Sequence, residues 1–407
     1  MVELKEIPGG ITAVPGFKAA GVAAGLKKAN KKDVALVYSN SPAFAAAVFT
    51  KNKVKAAPIL VNMQNLAKGE ARAVVVNSGN ANACTGEQGL KDAQEMARVA
   101  AKILGITSEQ VIVASTGVIG HNLPLHKVTA GIEECAGRLS DKGGTDAAEA
   151  IMTTDTYAKE YAVQVNIGQK PIVIGGMAKG SGMINPNMAT MLGFLATDVN
   201  ISKDLLKMAL AKVADETFNM ITVDGDTSTN DMVTLMATGT AGNLLIEEVN
   251  ADFKDFVAAL KHVAMHLAKE IIRDGEGATK VVTINVKGAY TQKDAQTAAL
   301  SVANSNLVKT AFFGEDANWG RIFTAVGYSG AEFNPSKVDI SIESSAGKEQ
   351  MLAQGAGRKF DEQKAKNILA EKEISVWIDL NAGDKDAVAW TCDFSYDYVK
   401  INADYRT

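Results

Sequence analysis

Hydrophobic residues make up 47% and charged residues 22% of 407 positions, with a net charge of −4, which describes a globular chain large enough for more than one compact unit. That balance excludes a disordered chain and argues against a nucleic-acid or anionic-membrane surface, since those need clustered Lys and Arg. Three scattered cysteines, Cys84, Cys135 and Cys392, give neither a disulfide framework nor a zinc-ligand spacing, so a reducing, cytoplasmic setting and a small-molecule partner are expected.

Residues 1 to 33 hold Glu3, Glu6 and a lysine-rich stretch from Lys27 to Lys32. They lack the continuous apolar run of a signal peptide or membrane span. Val34 to Tyr38, Ala45 to Phe49 and Ala73 to Val76 read as strands, the last running into the loop Asn77-Ser78-Gly79-Asn80-Ala81-Asn82-Ala83-Cys84. A helix over about 87 to 104 precedes a strand at Val111 to Ala114, which ends in Ser115-Thr116-Gly117. Helices at 124 to 139 and 145 to 152 and strands near 160 to 166 and 171 to 174 follow, before the glycine-rich segment Gly175 to Gly182. Met191 to Ala196 reads as a short buried strand, followed by a helix at 202 to 217 and a strand near 232 to 237. The longest helix, 250 to 273, carries Phe253, Phe256, Val257, Leu260, Val263, Ala264, Leu267 and Ile271 on one stripe. The remainder predicts a strand at 280 to 286, a helix at 292 to 312, and strands near 321 to 326, 337 to 342, 374 to 380, 388 to 394 and 399 to 402. This mixed order implies an α/β chain of the layered α+β kind, with helices packed on mainly β sheets and no Rossmann unit.

Several signals have plain explanations. His262 and His266 stand four apart on the long helix, but no glutamate follows the first histidine as a zinc-protease helix requires, so they are read as surface histidines. Asp224-Gly225-Asp226-Thr227-Ser228-Thr229 opens like a calcium loop yet has Thr229 where that loop needs glycine. It is read as a polar loop near a site. Gly175 to Gly182 lacks the Gly-Lys-Ser/Thr ending of a nucleotide-binding loop, and no Gly-x-Ser-x-Gly elbow accompanies a strand.

The segment Asn185-Pro186-Asn187-Met188-Ala189-Thr190-Met191-Leu192 is different in kind. A threonine hydroxyl needs a base to become a nucleophile, and a threonine at a new N-terminus carries one in its own α-amine, whose ordinary pKa is roughly 7.7 to 8.0. The hydroxyl of Thr190 could attack the Ala189 carbonyl, and water would then hydrolyse the ester, freeing that amine. Asn185-Pro186 favours a bent or extended approach. By local spacing alone an ordinary turn before a core strand explains the segment better.

The wider pattern reverses that balance. The cleavage segment, Pro15-Gly16-Phe17, the Asn77 to Ala83 loop, Met152-Thr153-Thr154-Asp155-Thr156, Phe313-Gly314-Glu315-Asp316-Ala317-Asn318-Trp319-Gly320-Arg321 and the end Asn402-Ala403-Asp404-Tyr405-Arg406-Thr407 together resemble the glutamate N-acetyltransferase (ornithine acetyltransferase) family of arginine biosynthesis. The resemblance implies the self-cleaving fold of the DmpA and ornithine acetyltransferase type, with an α chain of residues 1–189 and a β chain of 190–407. It further implies acetyl transfer from N-acetylornithine to glutamate through an acetyl-Thr190 intermediate, in an α2β2 heterotetramer without metal or organic cofactor.

The resemblance assigns oxyanion stabilisation to Thr116 and Gly117, and substrate binding to Thr153, Lys179, Thr190, Glu276, Asn402 and Thr407. Glycine at a strand end lets backbone N–H groups approach a ligand, Lys179 suits a carboxylate, and Glu276 suits an ammonium. Acetyl-CoA is left open as a second acetyl donor. The alternatives are an amidohydrolase or aminopeptidase of the same fold, in which water takes the acyl group, and an uncleaved small-molecule binding protein.

Overall fold

The structure, a computed structural model, describes residues 3–28, 30–185 and 191–404. Ala189, Thr190 and Thr407 lie outside the described residues.

Among the described residues, nine strands form the first sheet. They are β1 (Leu4–Ile7), β2 (Phe17–Val22), β3 (Val34–Phe49), β4 (Glu70–Asn80), β5 (Val111–Val118), β6 (Lys159–Ile167), β7 (Lys170–Lys179), β8 (Leu192–Thr197) and, after the short β9 (Ile221–Thr222) of the other sheet, β10 (Met232–Ala237). Their order is β1-β6-β7-β8-β10-β3-β4-β5, with β2 also paired to β3. The second sheet runs β14-β13-β12-β15-β11-β16-β9, adding β11 (Val281–Ala289), β12 (Asp339–Ser344), β13 (Gly347–Ala353), β14 (Ala356–Gly357), β15 (Glu373–Asp379) and β16 (Lys385–Cys392).

The helices are α1 (Ala57–Asn65), α2 (Gly86–Leu104), α3 (Leu125–Gly137), α4 (Gly144–Ala150), α5 (Lys203–Glu216), α6 (Ala251–Arg273), α7 (Gln292–Ala303), α8 (Asn306–Phe313), α9 (Trp319–Gly327), α10 (Glu362–Leu369) and α11 (Tyr396–Asp404). The largest core joins α5, α6 and α7 to both sheets. Phe256, Leu260, Val263 and Leu267 from the predicted stripe of α6 are fully buried there with Ile174 of β7 and Val282 of β11. Helices layered on mainly β sheets are therefore what the chain builds. Among the described residues no helix is long and apolar enough to cross a membrane.

Four of the predicted elements depart from expectation, and β1, β2, α1, β13 and α10 stand where none was predicted. The two strands predicted at 34–38 and 45–49 are one strand, β3, whose pairing with β4 shifts between Tyr38 and Ala43. The helix expected over 292–312 breaks at Ser305, whose side chain accepts from Val308 N and starts α8. The strand expected at 321–326 is helix α9, begun by the Asn318 side chain accepting from Arg321 N; Ile322, Ala325 and Val326 are its buried residues, a helical spacing that the short apolar run concealed. The strand expected at 399–402 belongs to helix α11. Ser395 fastens its start, donating to Gly277 O at 2.6 Å and accepting from Asp397 N at 3.2 Å.

Register places the ends of several strands together. In the parallel β4–β5 pair Gly79 lies opposite Gly117, and in the antiparallel β7–β8 pair Lys179 lies opposite Leu192. The end of β5 meets the end of β7 through side chains, with the Lys179 ammonium 3.4 Å from the Thr116 hydroxyl.

Candidate active site

The end of β5 is shaped by glycine. Gly117 has φ +130°, and a β-carbon there would lie 2.4 Å from the carbonyl carbon of Gly79 and 2.6 Å from Asn80 N. Those are backbone atoms that no rotamer change can move, so only glycine lets Thr116-Gly117 run against the neighbouring strand.

Asparagines hold this strand end in place. Asn77 accepts from the Ser115 hydroxyl at 2.6 Å and donates to Asn80 O at 2.9 Å. Asn230 donates to Ala81 O at 2.6 Å and Ser115 O at 2.7 Å. The stretch from Asn77 to Ala83, read from sequence as a loop but forming the end of β4 up to Asn80, is thereby a scaffold whose buried amides satisfy backbone carbonyls.

These elements enclose a cavity of about 230 Å³. Thr116, Gly117, Thr153, Lys179, Glu276 and Asn402 all line it, so six residues spread over nearly three hundred positions converge on one place. The polar loop after β9 contributes Asp224, Asp226, Ser228 and Asn230 to the same wall.

Lys179, at the end of β7, is 7% exposed. Its ammonium donates to the Thr153 hydroxyl at 2.8 Å and the Thr116 hydroxyl at 3.4 Å, with an oxygen of Asp155 at 3.9 Å. Burial lowers its pKa, and the negative charge of Asp155 opposes that fall. Glu276, on the loop after α6, is 8% exposed; its backbone N–H donates to Ser181 O at 2.8 Å and its carboxylate accepts from the Asn402 amide at 2.8 Å. A β-carbon on Gly182 would sit 2.3 Å from that carboxylate. A glycine is therefore what leaves Glu276 its place.

Asp224 ties two walls together. It accepts from Met183 N at 2.6 Å, from Ile184 N at 2.9 Å and from the Tyr398 hydroxyl of α11 at 3.2 Å. Burial raises the Asp224 carboxyl, against those backbone donors. Burial, reinforced by the charge of Asp224, raises the Tyr398 hydroxyl well above its ordinary range. Tyr398 also stacks on Phe394 with ring centroids 4.7 Å apart.

The cavity thus offers a buried cation at Lys179 for a carboxylate, acidic side chains at Glu276 and Asp226 for an ammonium, and a strand end at Thr116-Gly117 for a polarised oxygen. That is the donor set for an amino acid with a reacting acyl group. Asp155, Asp224, Asn230 and Tyr398 were not singled out by sequence. Asp155 lay inside the quoted Thr153-Thr154-Asp155-Thr156 motif, and Asp224 in the loop already read as polar.

The histidine pair has another use. His266 stacks on Tyr161 at 3.7 Å and 7°, and His262 Nε2 lies 3.2 Å from the Tyr161 hydroxyl. Among the described residues no group of three His, Cys, Asp or Glu side chains could hold a metal.

The ArgJ family matches residues 18–407. The arginine biosynthesis bifunctional protein ArgJ of Symbiobacterium thermophilum is 56% identical over 406 residues, spanning 99% of this chain and 100% of its own. Its counterpart in Caldanaerobacter subterraneus is 53% identical over 404 residues, with 99% and 100% spanned. A crystal structure of the Bacillus halodurans protein of the same name is 45% identical with a TM-score of 0.51, the whole of that chain matching 53% of this one. A match from residue 18 to the end, and relatives more than half identical from end to end, establish that the chain belongs to the ArgJ family.

Proposed function

We propose that this arginine-biosynthesis enzyme cuts itself between Ala189 and Thr190 and then uses Thr190 to carry acetyl from N-acetylornithine to glutamate. The carrying observation is the cavity that gathers Thr116, Gly117, Thr153, Lys179, Glu276 and Asn402 beside Leu192, which lies opposite Lys179 in the β7–β8 pair and follows Thr190 by two residues. The polar groups needed for acyl transfer and Leu192, two residues after Thr190 in the sequence, share one neighbourhood.

Each chemical step has a group to perform it. The Thr190 hydroxyl attacks the acetyl carbonyl and passes its proton to the α-amine, while the carbonyl oxygen takes up negative charge against donors from Thr116 and Gly117. The C–N bond to ornithine breaks, the departing amine takes the proton, and acetyl remains as an ester on Thr190. The glutamate amine then attacks that ester, the acetyl moves to nitrogen, and the Thr190 hydroxyl is restored. Lys179 meets the substrate carboxylate, and Glu276 with Asn402 meets the rest of each amino acid, a task the family resemblance also gives to Thr407.

This reading gives an α chain of 1–189 and a β chain of 190–407, assembled as an α2β2 heterotetramer in the cytoplasm. A whole chain of the Bacillus halodurans structure matching 53% of this one supports maturation into two chains. The nucleophile, its amine and the oxyanion donors suffice without metal or organic cofactor, and the same acyl-enzyme could be loaded by acetyl-CoA.

Intact mass and N-terminal sequencing of purified protein test the cut, which should yield a fragment beginning Thr-Met-Leu-Gly. Thr190→Ala should stay uncut and inactive. Acetylornithine alone should add one acetyl to the β chain, and glutamate should remove it. Loss of that acetyl to water at the same rate without glutamate would instead make the protein a hydrolase.

A further inference from the structure

Behind the cavity wall lies a group of four charges with almost no access to water. Lys159 and Asp155 have fully buried side chains, that of Asp274 is 2% exposed and that of Lys179 9%. Lys159 bridges two carboxylates, reaching Asp155 at 2.8 Å and Asp274 at 2.5 Å. Asp274 in turn accepts from Thr156 N at 2.9 Å and stands two residues before Glu276.

Asp155 is the centre of this group. One oxygen accepts from Gly180 N at 2.7 Å and from Lys159; the other accepts from Thr153 N at 2.9 Å and faces the Lys179 ammonium at 3.9 Å. A single carboxylate therefore fixes the backbone on both sides of the cavity, at Thr153 and at Gly180, and supplies the nearest negative charge to Lys179. Burial would raise the Asp155 carboxyl, but Lys179, Lys159 and the hydrogen bonds it accepts hold it down at about 2.

Stability is a poor explanation for such a cluster. Taking four charges out of water costs several kcal/mol per ion, and apolar replacements of buried ion pairs are often as stable. Asp155, Lys159 and Asp274 do not themselves line the cavity, while the fourth group, Lys179, does and is the cation that the reaction needs.

We propose that Asp155 is a positioning residue for acetyl transfer, holding Lys179 charged and in place opposite Thr116 and Thr153 so that it can receive the substrate carboxylate. This rests on the acetyl-transfer reading above. Among the described residues, the charged groups acting on Lys179 are Asp155, Lys159, Asp231 and Glu276, with Lys27 also sensing its charge, and it donates to the hydroxyls of Thr116 and Thr153.

Two variants make opposite predictions. Asp155→Asn removes the negative charge closest to Lys179, so the ammonium loses its proton more easily. Lys159→Gln removes a like charge that disfavours the Lys179 ammonium, so its proton is held more firmly. Acetyl transfer from N-acetylornithine to glutamate would be followed from neutral to alkaline pH on wild type and both variants, after mass analysis shows that each is cut into two chains.

In wild type kcat/KM should fall on the alkaline side as Lys179 deprotonates. Asp155→Asn should move that fall to lower pH by about one unit or more and raise KM on the order of 10-fold, with a smaller change in kcat. Lys159→Gln should move the fall to higher pH. Profiles that coincide with wild type, or variants that shift in the same direction, overturn the proposal, because a merely structural cluster has no reason to give opposite signs. Should Asp155→Asn not fold, Lys159→Gln decides alone: a fall moved to lower pH overturns the role given to Asp155. Wild type without glutamate-dependent transfer overturns the acetyl-transfer reading, and this inference with it, whereas active wild type with coincident variants overturns this inference only.

Discussion

Asn402 donates its side-chain amide to the Glu276 carboxylate at 2.8 Å, which fastens α11 to the loop after α6 across the mouth of the cavity. Helix α11 lines the cavity through Tyr398 and Asn402. Asn402→Ala should therefore raise KM for both amino acids several-fold, and leave the Ala189–Thr190 cut complete. Steady-state kinetics together with intact mass check both halves, and unchanged KM values would remove Asn402 from the pocket.

Thr116 sits at the end of β5 with its hydroxyl 3.4 Å from the Lys179 ammonium. Its replacement by alanine should lower kcat on the order of 10- to 1,000-fold, the upper end being what loss of one oxyanion donor costs. KM should change little. A raised KM with kcat intact would instead make Thr116 a ground-state binding residue whose contact is with bound substrate.

How much of this was legible beforehand follows from the kind of signal each element gives. Periodicity found α6, because a buried helix of 23 residues repeats its apolar stripe many times. It failed for α9, where only nine residues leave too few turns to separate a helix from a buried strand, and it failed for α11, whose Tyr396 and Val399 are exposed and carry no burial pattern. Six of the residues lining the cavity, Thr116, Gly117, Thr153, Lys179, Glu276 and Asn402, came from motif resemblance. Asp155 and Asp224 escaped notice because their importance lies in contacts across 25 and 40 or more residues, to Gly180 and to Met183. No local pattern encodes such contacts.

Acid should weaken the fold through Asp155. Its carboxyl titrates at about 2 in the folded chain against an ordinary value of 3.8, so its pKa is depressed by folding. The stabilisation from the charged form is complete above about pH 4 and is lost as pH falls towards 2. Denaturant unfolding measured at steps across that window should show wild type losing stability and Asp155→Asn losing distinctly less. Parallel curves would show that other carboxylates govern the acid limb.

Gly117 and Gly182 both line the cavity, but alanine at each should fail differently. At Gly117 the new methyl would meet backbone atoms at 2.4 and 2.6 Å, in a left-handed conformation at φ +130°, so strain on the order of 1–3 kcal/mol has no side-chain route of relief. Gly117→Ala should lower stability by that amount and abolish transfer, since the strand end itself must shift. At Gly182 the atoms in the way are the carboxylate of Glu276, at 2.3 Å, which can rotate aside at the expense of its bond to Asn402. Gly182→Ala should therefore unfold close to wild type while KM rises, because the acidic group and the helix fastened to it have moved. Unfolding curves and kinetics on the two variants separate these cases; a Gly182→Ala enzyme with wild-type KM would show that Glu276 is not placed to receive the substrate.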